Sequence, residues 1–265
     1  MRTFSHPGYK RFLLSVGCLL SIHFTALFFL TLFRLVFFFS ANYDFPDQEH
    51  VGFMSIWPAF IRGVWFDNVI ACYILLIPLV AVSISALFNY YGKILWNVTC
   101  IFFSLFYGIV LLVTAANIPY FQYFFKIINS SVFNWFGYMN TTAGMVFGET
   151  SYYPPLIGFL LTLVLFIWLM RRLIRHFQRL LNTKNPSVFW LDRIYIFLTA
   201  GICIGLCLFG IRGRTGYNPI KVSAAYYCTD PFLNQLGISP VFNLLSSTLD
   251  DSRKENRYLH LMPEN

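Results

Sequence analysis

Five long runs of apolar residues alternate with polar segments along the 265-residue chain. The shortest run is close to the lower limit of about 17 residues that a helix needs to cross the hydrocarbon core of a bilayer. The pattern therefore predicts five transmembrane helices and a transmembrane domain over about residues 1–211. The predicted helices cover about residues 12–40, 67–88, 94–117, 154–170 and 194–211. The predicted fold class is an all-α polytopic membrane protein.

The first apolar run follows a basic amino-terminal segment that contains Arg2, Lys10 and Arg11. A secretory signal peptide has an apolar region of roughly 7 to 15 residues and a small-residue cleavage site after it. This run is much longer, and no such site follows it. We therefore expect it to stay attached as the first membrane helix.

The stretch over residues 170–193 separates the fourth and fifth apolar runs and is strongly basic. Its basic residues are Arg171, Arg172, Arg175, Arg179, Lys184 and Arg193. Short loops rich in Lys and Arg stay on the cytoplasmic side of a membrane, whereas the two predicted outer loops contain only Arg62 and Lys126. This asymmetry predicts a cytoplasmic amino terminus and an extracytoplasmic carboxyl terminus. A nucleic-acid-binding patch is disfavoured, since such patches do not lie between two apolar runs of membrane-spanning length.

Composition supports the same class of protein. Hydrophobic residues make up 57% of the chain and charged residues 11%, whereas soluble domains carry about 25% charged residues. The net charge of +8 follows from the basic cytoplasmic segments, so it requires no acidic or nucleic-acid partner. Every cysteine except Cys228 lies in an apolar run, where it acts as a packing residue. With the histidines scattered as well, we expect no disulfide framework, metal site or other cofactor within this chain.

Arg34 is a charged residue near the predicted outer end of the first helix. Three interpretations are open. Its guanidinium reaches the membrane surface while its stem stays buried, or it pairs with Asp67 at the start of the second predicted helix, or it binds an anionic lipid head group. Arg34 and Asp67, with Arg62 and Lys126 of the outer loops, are the candidate residues for a lipid entrance.

The outer segment over residues 118–153 is the most aromatic polar stretch of the chain. Aromatic rings with polar tips favour the level of the lipid head groups. The segment is therefore either an interfacial collar or one wall of a lipid-binding groove. In the fifth apolar run, Gly201 and Gly205 form a GxxxG motif, which predicts close approach of a neighbouring helix, within the bundle or in a dimer.

Residues 212–265 differ sharply in composition from the preceding runs and are predicted to form an extracytoplasmic juxtamembrane segment. Asp230 and Pro231 supply a helix start and Gly237 a helix stop, and Ser239 with Pro240 repeats the start signal for a helix through Leu249. The apolar residues of this segment are too numerous for a free linker. We expect these short helices to rest on the membrane interface or on a folded partner domain.

Several stretches together resemble the membrane half of the lipoteichoic acid synthase-like family, bacterial proteins with five membrane helices followed by a sulfatase-like domain. The resemblance is carried by residues 62–67 (RGVWFD), 120–126 (YFQYFFK), 214–226 (RTGYNPIKVSAAY) and 239–243 (SPVFN). It implies a bacterial cytoplasmic membrane protein whose catalytic domain uses a threonine nucleophile and a divalent metal, commonly manganese. Such a domain transfers glycerophosphate from phosphatidylglycerol; phosphoethanolamine transferases have a similar plan.

The sequence stops at Asn265, where the family's hydrolase domain would begin, so the nucleophile and the metal ligands have no matching positions. We therefore expect the chain to be the membrane-anchoring part of such a transferase, inactive alone, with its own catalytic domain and an anionic phospholipid such as phosphatidylglycerol as partners. The alternative is a stand-alone membrane scaffold that binds a partner through residues 212–265. A transporter or channel is disfavoured, since the apolar runs carry few polar groups.

Overall fold

The structure, a computed structural model, describes residues 6–41, 53–138, 150–181 and 190–253, together with Gly144 and Gly148. In these ranges the chain is helical and contains no strand. The α-helices are α1 (Pro7–Ser40), α2 (Phe53–Leu87), α3 (Lys93–Phe124), α4 (Tyr153–Leu181), α5 (Trp190–Arg212), α6 (Pro231–Leu236) and α7 (Pro240–Ser252). Short 3-10 helices cover Ser130–Tyr138, Thr150–Tyr152 and Val222–Ala225.

The first five helices are long and apolar enough to cross a membrane. This confirms the predicted fold class, an all-α polytopic membrane protein. In the most apolar parts of α4 and α5, most side chains are exposed. These two helices therefore have broad faces that suit contact with lipid tails.

Helices α2 and α4 extend by ten or more residues beyond the bounds that the hydrophobicity pattern predicts. Helix α2 begins at Phe53 rather than near residue 67, so Asp67 lies inside it. Helix α4 continues to Leu181, and most of the basic stretch predicted as a loop is therefore helical. The reason is that buried residues recur on one side of α4 through the arginines: Phe166, Met170, Ile174 and Leu181. Lys184 lies outside the described residues.

Helix α3 continues through Pro119 to Phe124, whereas the sequence predicts that it stops at this proline. A proline inside a helix removes one backbone hydrogen bond and costs about 3 kcal/mol. Packing beyond the proline offsets this cost, because the buried ring of Phe121 lies 5.0 Å from the ring of Phe37 and 5.6 Å from that of Phe232. The side chain of Asn117 then accepts a hydrogen bond of 3.0 Å from the returning backbone at Ile128.

The described residues fall into two compact units. The first comprises those within Met1–Leu30, Asp67–Ile109 and Leu160–Pro219, and the second those within Thr31–Phe66, Val110–Phe159 and Ile220–Asn265. In the first unit, the buried ring of Phe166 lies 5.3 Å from Tyr107 and 6.1 Å from Phe29. Helices α1, α3 and α4 thus share an aromatic core there.

Polar contacts at the start of α1 join it to other parts of the first unit. Arg11 is buried, donates a 2.9 Å hydrogen bond to the carbonyl of Leu181 at the end of α4, and lies 4.9 Å from the ring centroid of Tyr91. Burial raises the pKa of Tyr91 to about 12, although the nearby Arg11 acts in the opposite direction. His6 Nδ1 lies 2.9 Å from the carboxylate of the buried Asp192. The beginning of α1 is therefore fixed to both α4 and α5.

Helices α2 and α5 approach each other closely at Gly210 rather than at the predicted GxxxG motif. A Cβ atom at Gly210 would lie 2.5 Å from Cys72 Sγ, whereas one at Gly201 or Gly205 would meet nothing within 4 Å. The Cys207 thiol also donates to the carbonyl of Cys72 over 3.3 Å. Among the described residues, the small-residue contact of α5 is thus one turn beyond the motif.

In the second unit, α6 and α7 pack against the chain's own longer helices. Asp230 caps α6 by accepting a 2.9 Å hydrogen bond from the Leu233 amide, as the sequence predicts. The ring of Phe232 lies 5.8 Å from that of Phe37, and Phe66 lies 4.8 Å from Phe242. The sequence predicts that these short helices rest on the membrane interface or on a partner domain. In the structure, α1, α2 and α3 of the same chain supply part of that support.

Replacing Gly210 with leucine should destabilise the first unit, because the new side chain must displace Cys72. Overpacking of this kind costs about 1–3 kcal/mol, and we expect a lower melting temperature in detergent. Gly201→Leu is the matched control in the same helix and should change stability by less than about 0.5 kcal/mol. Equal losses in the two variants would contradict the assigned contact.

Candidate functional site

The most tightly built polar site of the second unit lies where Arg34 meets the segment of residues 220–253, which we call the tail segment. Arg34 is 5% exposed. Its Nη1 donates to the carbonyl of Leu236 and, over 3.1 Å, to the carbonyl of Ile238. Leu236 is the last residue of α6, and the final carbonyls of a helix have no partners within it. Ile238 follows two residues later, just beyond the helix. Arg34 thus caps α6 from a distant part of the chain.

Gly63 makes room for the Arg34 guanidinium. A Cβ atom at position 63 would lie 2.1 Å from Arg34 Cζ and 2.2 Å from its Nε. These distances are far below van der Waals contact, so no other residue fits here while Arg34 keeps its position. The glycine is therefore part of the arginine site, although it contributes no polar group.

A second arginine holds the tail segment from α2. The Nε of Arg62 donates to the carbonyl of Ala224 over 3.2 Å, and its guanidinium lies 4.5 Å from the ring centroid of Tyr227. The Tyr227 hydroxyl donates a 2.6 Å hydrogen bond to the carbonyl of Ser55. Burial and the nearby Cys228 raise the pKa of Tyr227 above its ordinary value.

Amide and hydroxyl side chains fix the tail segment to the loop after α3. Gln235 Oε1 accepts a 3.1 Å bond from the amide of Ile127, and Asn243 Nδ2 donates to the carbonyl of Ile128 over 2.9 Å. The hydroxyl of Ser247 accepts from the amide of Ser130 at 2.9 Å. The tail segment is therefore bonded along most of its length, from Ala224 to Ser247.

The four candidate entrance residues fall into different environments. Arg34 and Arg62 both lie against the tail segment, as described above. Lys126 is exposed beside the docked loop in the second unit, and Asp67 is 2% exposed in the first unit. Arg34 and Arg62 thus contact the same segment of the second unit, and the sequence predicts neither contact.

An apolar cavity of about 210 Å³ opens in the second unit beside the aromatic outer segment. Helix α3, the 3-10 helix after it and the beginning of α4 form its walls. Its lining includes Ala115, Ala116, Tyr120, Ile128, Trp135 and Phe159. The Tyr120 hydroxyl at the wall donates to Asn129 over 3.4 Å. None of the lining residues carries a charge. Such a cavity suits a hydrocarbon chain and offers nothing to a metal ion.

The described residues contain no group of three or more His, Cys, Asp and Glu side chains that could hold a metal ion. The divalent metal implied by the family resemblance therefore does not fit the donor set present here. The polar groups described above in the second unit hold the backbone of the tail segment in place.

Sequence reasoning missed Gly63 and the acceptors of Arg34. The acceptors are backbone carbonyls, which every residue carries, so residue types do not reveal them. The one available signal is the stop at Gly237, because it marks a helix end whose carbonyls need donors.

Replacing Gly63 with leucine should expel the Arg34 guanidinium and leave buried carbonyls at the end of α6 without this donor. Loss of a hydrogen bond to a charged group costs about 1.5–3 kcal/mol, so thermal unfolding in detergent should begin at a lower temperature. Gly158→Leu is the control, since a Cβ there meets nothing within 4 Å. An unchanged melting temperature in Gly63→Leu would refute the requirement for space at this position.

Comparison of the chain with protein-family models, with curated proteins and with solved structures gave no match. The functional conclusion therefore depends on the residues and the geometry described above.

Proposed function

We propose that this chain is the membrane-anchoring domain of a lipoteichoic acid synthase-like, sulfatase-fold transferase that moves a phosphoglycerol or phosphoethanolamine group. In this proposal the chain is inactive alone. It holds a catalytic domain at the outer surface of a bacterial cytoplasmic membrane and presents the lipid substrate to it. The observation that carries the proposal is the docking of the tail segment through Arg34 and Arg62.

A docked tail segment suits an anchor better than a flexible linker does. Each ordered backbone residue costs about 1–2 kcal/mol of conformational entropy, and here polar bonds and aromatic packing from Phe232 and Phe242 offset that cost. Helix α7 then ends at Ser252 in a defined position within the second unit. A domain that follows would be tethered through this fixed part of the second unit.

The apolar cavity supports the presentation of a lipid. Burial of hydrocarbon contributes about 0.8 kcal/mol per methylene group, and the walls of the cavity are aromatic and aliphatic. Lys126 is exposed two residues before Ile128, which lines the cavity. In the proposal, one acyl chain of an anionic phospholipid such as phosphatidylglycerol occupies the cavity, and Lys126 attracts its phosphate.

The chemistry itself belongs to the catalytic domain in this proposal. A metal ion such as manganese would polarise the phosphoryl oxygens, and a threonine hydroxyl would attack the phosphorus. The described residues contain no cluster of side chains that could hold such a metal ion. The contribution of this chain is therefore position and lipid supply.

A second candidate is a scaffold or accessory subunit that binds a partner protein through residues 212–265. The exposed side chains of Leu245 and Leu249 on α7 favour it, since they leave an apolar strip on the docked helix. Reading the gene beyond codon 265 separates the two candidates. A reading frame that continues into hydrolase motifs supports the enzyme, whereas a stop codon there favours the scaffold.

Filling the cavity should prevent lipid binding. Ala116→Trp places a large ring at an exposed alanine of the lining, and crosslinking by a phosphatidylglycerol with a diazirine in its acyl chain should fall about tenfold, the effect of roughly 1.4 kcal/mol. The control is Leu206→Trp on the exposed face of α5, which should crosslink like the unchanged protein. Equal crosslinking of both variants would exclude the cavity as the acyl site.

The candidate entrance residues can be tested in the intact enzyme. Arg34→Ala and Asp67→Ala should each reduce turnover of a fluorescent phosphatidylglycerol by about tenfold or more, equivalent to roughly 1.4 kcal/mol, because the proposal places both side chains at the lipid entrance. Protein levels in the membrane serve as the control. Normal turnover at normal protein levels would remove both residues from the proposed machinery.

A further inference from the structure

The carboxyl half of α4 carries a basic groove that the proposed function does not use. Five residues of this one helix line an open space of about 400 Å³: Trp168, Arg172, Arg175, His176 and Arg179. All five side chains are exposed. The groove lies wholly within the first unit, and its lining contains no carboxylate.

The spacing of the arginines places like charges next to each other. Arg172 and Arg175 are three positions apart on the helix, and Arg175 and Arg179 are four apart, so each pair lies on the same side. Pairs of like charge at these spacings destabilise a helix. The position near the carboxyl end of α4, where the helix dipole is negative, compensates only in part. A bound anion would relieve the remaining repulsion.

Two contacts direct the side chains along the helix. The guanidinium of Arg172 lies 5.3 Å from the ring centroid of Trp168, and the Nε of Arg175 donates to the carbonyl of Arg171 over 3.2 Å. Stacking and a backbone bond leave the remaining guanidinium N–H groups available to a ligand. Arginine presents these donors as a planar fork that matches the oxygens of a phosphate.

The part of α4 that precedes the groove is apolar and exposed. Leu161 is 67% exposed and Val164 68% exposed, and Trp168 lies between this face and the arginines. Tryptophan favours the boundary between hydrocarbon and head groups. A ligand that matches both parts therefore has an anionic head and a hydrocarbon tail.

We propose that the basic groove of α4 binds the head group of an anionic phospholipid. The phosphate lies among Arg172, Arg175 and Arg179, and the acyl chains follow the exposed face through Leu161 and Val164. With the predicted orientation, this lipid belongs to the cytoplasmic leaflet. The site is thus separate in role from the proposed substrate cavity, and it requires neither the catalytic domain nor the family assignment.

Native mass spectrometry of the purified chain with added phosphatidylglycerol tests the proposal. In the proposal the guanidinium groups of the groove contact the phosphate directly, so the variant Arg172→Gln/Arg175→Gln/Arg179→Gln should bind at least tenfold more weakly. The matched control, Lys93→Gln/Arg171→Gln/Arg193→Gln, removes the same charge from exposed positions outside the groove. It should bind within about twofold of the unchanged chain.

Three outcomes would overturn the proposal. Equal losses in the two triple variants would show attraction by net charge alone. Equal binding of phosphatidylcholine would show that the head-group charge is irrelevant. Full competition by millimolar inorganic phosphate would show a site for a soluble anion instead of a lipid.

A variant that keeps the net charge of the groove distinguishes a loss of lipid binding from a loss of folding. Replacing the three arginines by lysine preserves the net charge but removes the planar forks, so binding should fall to a value between those of the unchanged chain and the glutamine variant. Helix content and melting temperature are compared for all variants. Binding by the lysine variant equal to that of the unchanged chain would refute the part of the proposal that assigns phosphate to guanidinium forks.

Discussion

A buried guanidinium organises the second unit. Removing an arginine from water costs several kcal/mol unless its N–H groups find acceptors. Leu236 at the carboxyl end of α6 and Ile238 just beyond it supply two of them, and Gly63 leaves the space in which the side chain can reach them. The arginine and the short helix therefore depend on each other. Without the tail segment Arg34 loses these acceptors, and without Arg34 the end of α6 loses this donor.

Helix α1 uses arginine in the same way near both of its ends. Arg11 donates to the carbonyl of Leu181 at the end of α4, and Arg34 donates to the end of α6. In each unit a cation of α1 thus meets the negative end of another helix, which is the favourable arrangement for helix dipoles. An apolar helix with two such residues does more than cross a membrane, because it also fixes where other helices end.

The elements that the sequence predicts well are those that depend on local composition. The five long apolar helices and the start of α6 at Asp230 and Pro231 follow from residue type and spacing alone. The helical extension of α4 was also accessible, since Met170, Ile174 and Leu181 continue its buried face. The charge of this stretch favours a loop, whereas the periodicity of its buried residues favours the helix that the structure contains.

The remaining features depend on tertiary contacts. Pro119 stays inside α3 because Phe121 packs beyond it. The partners of Arg34 are backbone atoms of residues more than two hundred positions away. The close contact of α5 is at Gly210 rather than in the GxxxG motif, and this depends on which side of α5 faces Cys72. Sequence spacing alone does not encode such pairings.

The reactivity of the Cys228 thiol shows whether Arg34 holds the tail segment in place. This thiol is half-buried and lies 3.5 Å from Asn234 Oδ1. Arg34→Leu should release α6. A bulky maleimide should then label the Cys228 thiol about tenfold faster or more, because the labelling rate follows local opening of the chain. Arg253→Leu, which changes an exposed arginine at the end of α7, should keep the original rate. Identical labelling rates for the unchanged chain and Arg34→Leu would contradict the account.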